Sequence, residues 1–212
     1  MLLTLITGVW LVCAPETRTP DQLPAEAEPA SGIAALAQKL MVPAAAHKRF
    51  IRVVVPVAPW IFGACGTAYA VLPALLHDHA GQWPIFFAGI MTVVTLASGV
   101  GIQVIGSWVD THRSARASVI AVGIIAVGVG LSARAATDGN LTIGVCAACI
   151  LGCGYGLALV AGLSEVQRIA GPDDLAGLTA VFYSIAYLGF FVPMILAALS
   201  TCLLYTSPSP RD

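Results

Sequence analysis

The chain has 212 residues, of which 58% are apolar and 10% charged, and its mean hydropathy is +0.88, whereas a soluble domain carries about 25% charge. That balance excludes an ordinary water-soluble enzyme, and a formal net charge of −1 leaves no basic field to hold nucleic acid. Apolar runs of about 20 residues, each long enough to cross a bilayer core, make the expected class all-α: a polytopic helical membrane protein.

Residues 1–13, MLLTLITGVWLVC, form an apolar stub without the basic n-region or small-x-small cleavage site of a signal peptide, and read as the trailing part of a membrane helix. Residues 14–50 follow as a polar linker containing Pro15, Pro20, Pro24, Pro29 and Pro43, with room for one short helix over 32–41. A membrane domain is expected over 51–201. Its full spans are predicted at 53–76, 84–109, 117–135, 141–163 and 175–200, and they are helical because lipid offers backbone groups no partner. Residues 202–212, CLLYTSPSPRD, break from the apolar pattern. Read codon by codon they resemble the transposase adapter of short-read sequencing libraries, so the biological sequence is expected to stop near Thr201.

Arg18, Lys39, Lys48, Arg49 and Arg52 precede the first full span, Arg113 and Arg116 follow the second, and Arg168 follows the fourth. The alternate loops hold only Arg134. The basic-rich side is expected to be cytoplasmic by the positive-inside rule.

Three motifs carry a resemblance. Trp10-Leu-Val-Cys-Ala-Pro15-Glu16-Thr17 is similar to the Pro-Glu-Thr that often closes helix 6 of exporters in the major facilitator superfamily. Gly106-Ser-Trp-Val-Asp110, with Arg113 and Arg116, resembles the second-half copy of that family's Gly-x-x-x-Asp-(basic)-x-Gly-(basic) loop, although Thr111 and Arg113 depart from it. Glu165-Val-Gln-Arg168 followed by Leu175-Ala-Gly-Leu-Thr-Ala-Val-Phe-Tyr183 is similar to the connection between helices 10 and 11. The resemblance covers residues 1–201 and implies half of a 12-helix fold: the end of helix 6, the cytoplasmic linker, and helices 7 to 11, with helix 12 missing. It also implies secondary transport by alternating access in the bacterial inner membrane.

Gly106 allows close approach of two helices, and Asp110 then sits at the lipid–water boundary beside Arg113 and Arg116. The fold that the resemblance implies brings Glu165 and Arg168 near. These six residues are the expected cytoplasmic gating cluster, and a solvated positive-inside loop is the plainer alternative. No Lys, Arg, Asp, Glu or His lies in the middle of a predicted span. A carboxylate for a coupling proton is therefore expected outside these spans. The polar groups that remain are Thr67 and Tyr69, Gln103, Tyr155, and Tyr183, Ser184 and Tyr187. Because helices 7 and 10 line the cavity in the family, Thr67, Tyr69 and Tyr155 are the expected substrate contacts. Such a cavity suits a small amphiphilic organic solute, and export is the expected direction.

Cys146, Cys149 and Cys153 fall at i, i+3 and i+7 on one helical stripe. A zinc site wants four ligands, and no His or carboxylate joins this stripe, so close helix approach through Gly152, Gly154 and Gly156 is the expected role of the segment. A kink is predicted near Gly189 and Pro193. No catalytic set and no cofactor motif is present in the sequence. Two other readings stand beside transport: a stand-alone five-span subunit that assembles with partners, and a membrane-embedded thiol or metal enzyme.

Overall fold

A computed structural model describes residues 43–109, 116–171, 174–195 and 198, with side chains at 106–109 excepted. All of them fall in the unit that begins at Val42. The expected helix-6 stub, most of the linker and the adapter-like tail lie outside the described residues. Among those described the structure is helical throughout and has no strand.

Five helices are long and apolar enough to cross a membrane: α1 (Phe50–Leu75), α2 (Pro84–Ile105, continuing helically to Val109), α3 (Arg116–Asp138), α4 (Leu141–Ile169) and α5 (Leu175–Ile195). The chain is thereby a candidate multi-pass membrane protein. The spans split into an inner pair and an outer three, since 56% of the α1 window and 50% of the α4 window are buried against 22–28% for the others. Large apolar side chains such as Ile85, Phe86, Val93 and Val104 of α2 and Phe191 and Met194 of α5 point outward. So extensive an exposed apolar surface suits lipid and not water.

α4 is the hub, packing against each of the other four spans. Its glycines explain how. A Cβ on Gly152 would collide with the Thr95 carbonyl oxygen and the Ser98 hydroxyl, and one on Gly156 with the Gly99 carbonyl, so this face of α4 lies directly on α2. Gly154, on another side of α4, faces Ile125 of α3, whose own Gly128 receives Leu151. Small residues let helix backbones approach closely in membranes, where dispersion replaces the hydrophobic effect as the driving force.

α1 carries three prolines, and each removes a backbone donor. The helix widens to a π turn at Phe50–Val54, ahead of Pro56 and Pro59, and again at Thr67–Val71, ahead of Pro73. α5 changes from α to 3-10 geometry at Leu188–Phe190, where the sequence predicts a kink. Gly189 there presses on the Pro59 carbonyl and the Gly63 backbone of α1. α4 begins at Asn140, whose side chain accepts from the amides of Thr142 (2.9 Å) and Ile143 (3.2 Å), a standard N-cap. At the same end, His79 packs on Gly139, whose φ of +61° turns the chain from α3 into α4.

Candidate functional site

Two groups of polar side chains stand out from the apolar bundle. The first lies where α4 ends. Glu165 is 2% exposed, and a buried carboxylate needs both partners and hydrogen bonds. Arg49, just before α1, grips it with a fork: Nε donates to Oε2 at 2.5 Å and Nη2 to Oε1 at 2.9 Å. Arg168, one turn along α4, donates from Nη1 to Oε1 at 2.7 Å. Bidentate guanidinium–carboxylate geometry is the strongest form of such a pair. The three side chains fasten the entry of α1 to the end of α4.

This group overlaps the gating cluster expected from sequence without reproducing it. Glu165 and Arg168 are together as expected. Arg116 opens α3 and is exposed, Gly106 lies in the last turns of α2, and Asp110 and Arg113 lie outside the described residues. Arg49 had no expected role beyond its positive charge. The signal that points to it is the acidic residue itself: a carboxylate three residues before Arg168 at the edge of an apolar run implies a cation brought from another element.

The second group lies partway along the spans and comprises Cys65 and Tyr69 of α1, Gln103 of α2 and Tyr155 of α4; the π turn of α1 that carries Tyr69 packs on both α2 and α4. The Tyr155 ring rests against Gly99. Four polar groups therefore stand on three packed helices, and none of them is a carboxylate, an amine or a guanidinium. Tyr69 and Tyr155, two of the three expected substrate contacts, stand on the packed pair α1 and α4. Thr67 is used differently: it is 7% exposed, and its hydroxyl donates to the Gly63 carbonyl of its own helix at 2.8 Å. Cys65 and Gln103 join the group only because three helices cross there.

Other hydroxyls within the spans are satisfied as Thr67 is. Thr95 donates to Met91, Ser132 to Gly128 and Ser184 to Ala180, each back to the carbonyl four residues earlier, the usual solution where no water is at hand. Tyr183 and Tyr187 belong to an aromatic ladder and not to the polar group. Phe62 of α1 stacks on both Tyr187 and Phe190, with ring centroids 4.9 and 4.8 Å away, and Tyr183 leans on Tyr187.

In the cysteine stripe, Cys146 and Cys149 are exposed and Cys153 is half-buried, while Cys65 belongs to the polar group. Among the described residues no three His, Cys, Asp or Glu side chains are placed to hold a metal ion. The variant Cys146→Ala/Cys149→Ala is expected to shift stability by no more than about 0.5 kcal/mol, as outward-facing substitutions do. Zinc titration should leave wild type and variant equally metal-free, and stoichiometric zinc on the wild type would restore the metal reading.

Comparisons of the chain with protein-family models, with curated proteins and with solved structures gave no match.

Proposed function

We propose that this chain is the C-terminal half of a secondary transporter of the major facilitator type, which moves a small amphiphilic organic solute across the bilayer by alternating access, in the direction of export. The observation that carries the reading is the crossing of α1, α2 and α4 at which Cys65, Tyr69, Gln103 and Tyr155 are carried, with the Tyr69 turn packed on α2 and α4 and the Tyr155 ring against Gly99. Neutral polar groups within an apolar span set also serve helix packing, and the reading takes these four as the lining of a solute path between spans. Aromatic rings with hydroxyl, thiol and amide groups suit a ligand held by ring contact and a few hydrogen bonds, not one held by charge pairing. In this reading the Arg49–Glu165–Arg168 clamp holds one of two conformations closed at the basic end, and a second half outside this chain completes the cavity.

Sequencing the source DNA across both ends of the reading frame tests the half-transporter claim. About five further spans upstream, in line with a repeat-built transporter, and one span in place of residues 202–212 are the expected result. A native start before Met1 and a native stop after Asp212 would overturn it in favour of the five-span subunit. The solute claim is tested in energised everted vesicles carrying both halves. Amphiphilic dyes such as ethidium should accumulate, and Tyr155→Phe should slow accumulation while Thr67→Val leaves it near wild type. Equal effects of the two substitutions would sink the assignment of the polar group.

A further inference from the structure

A groove of about 250 Å³ runs between α1 and α3 at the basic end of the bundle. Val53 and Pro56 of α1 and Val119 and Val122 of α3 wall it, Arg52 lies at its rim, and Ser118 lines it. Two other grooves, one along α2 and one between α3 and α4, are larger at about 420 Å³ and have no charged residue in their lining. Three observations set the α1–α3 groove apart from them.

Its cations pair with no acidic group among the described residues. Arg49 and Arg168 are committed to Glu165, and Arg134 to Asp138 at 2.7 Å. Arg52, and Arg116 one turn before Val119, are exposed and pair with no acidic group among the described residues. Its hydroxyl stands apart from those of the other spans. Ser118 is 4% exposed, yet unlike Thr67, Thr95 and Ser132 it makes no hydrogen bond among the described residues. No fully enclosed side-chain oxygen in the described structure lacks a partner, so the Ser118 hydroxyl opens on the groove. The volume, finally, falls below the roughly 300–1,000 Å³ of whole-solute sites and fits a strip of acyl chain.

We infer that this groove is a binding site for an anionic phospholipid, whose phosphate sits between Arg52 and Arg116 with Ser118 donating to it and whose acyl chain lies along the valines and Pro56. The chemistry is complementary throughout: apolar walls at the depth of the spans, and at the level of the headgroups two guanidiniums that pair with no acidic group among the described residues. The inference needs only that the helices cross a membrane, and it is independent of what the protein transports.

Native mass spectrometry of the full chain, released from micelles doped with equal phosphatidylglycerol and phosphatidylcholine, tests it. Retention of phosphatidylglycerol over phosphatidylcholine is expected, with each guanidinium removed lowering it about fivefold, so that Arg52→Gln/Arg116→Gln falls further than Arg52→Gln. Ser118→Ala should lower retention as well, while Arg134→Gln, at the opposite end of α3, should leave it at the wild-type level. Glycerol 3-phosphate, a headgroup without chains, should fail to displace the bound lipid. Equal retention of the two lipids would identify an unspecific annular contact and overturn the site. So would full displacement by glycerol 3-phosphate, which would mark a free-phosphate site, or unchanged retention in Arg52→Gln at a wild-type melting temperature.

Discussion

Replacing Arg49 with methionine is expected to destabilise the helical bundle by about 3–5 kcal/mol, the range for stripping one partner from a buried ion pair. Arg49 is 35% exposed while Glu165 is 2% exposed, so the low end of that range applies: the arginine returns to water easily, but the carboxylate is left behind. Arg168 reaches only Oε1, and Oε2 loses the partner that Arg49 supplied at 2.5 Å. Glu165→Gln keeps the shape and exchanges a charged acceptor for a neutral one, with an expected loss of about 1.5–3 kcal/mol. The double variant Arg49→Met/Glu165→Met should lose less than the sum of the single changes, with a coupling of about 1–3 kcal/mol. Denaturation by sodium dodecyl sulfate in mixed micelles, followed by far-ultraviolet circular dichroism, measures the wild type, Arg49→Met, Glu165→Gln, Glu165→Met and the double variant. Strict additivity would show that the pair is a bystander.

Gly156→Ala is expected to destabilise the bundle by about 1–3 kcal/mol, although alanine is the better helix former. The added methyl would collide with the Gly99 carbonyl of α2, which is backbone and cannot rotate away. Gly152→Ala should behave in the same way against Thr95. Gly123→Ala in α3 and Gly101→Ala in α2 supply the opposite sign. Nothing lies within 4 Å of a Cβ at either position, so each should be neutral or gain up to about 1 kcal/mol from reduced backbone freedom. The same denaturation experiment separates them. A stabilising Gly156→Ala would mean that α2 and α4 do not approach as closely as described.

The two predictions also mark where the sequence could be read and where it could not. Hydropathy places five spans because lipid forces backbone groups to pair within each helix, and that constraint acts locally. Span ends are less legible. α4 runs to Ile169, six residues beyond the apolar window that ends at 163, because Glu165 is neutralised by Arg49 across 116 positions of sequence. α3 likewise reaches Asp138, which pairs with Arg134 within the helix at 2.7 Å. The glycines of α4 announce close packing by their spacing, but not that Gly152 and Gly156 take α2 while Gly154 takes α3. Tyr69 and Tyr155 are visible as polar residues in apolar runs. Cys65 and Gln103 join them only at a crossing of three helices, which no single-helix periodicity encodes.

The position of the hub within the chain sets a schedule for assembly. α1 finds its main partners in α4 and α5, and α2 and α3 touch each other little compared with what each shares with α4. Until Ile169 has been synthesised, α1, α2 and α3 hold one another only through the smaller contacts that α1 makes with α2 and α3. At ribosomal speeds of about 5–20 residues per second, that leaves α1 waiting on the order of 5–20 s after Leu75 is made. Each span is stable as an isolated helix in the bilayer meanwhile, since its backbone is already satisfied. The arrival of α4 is therefore the event that joins α1, α2 and α3 through one shared partner, and a stall of translation before it would leave them loosely packed and open to membrane quality control.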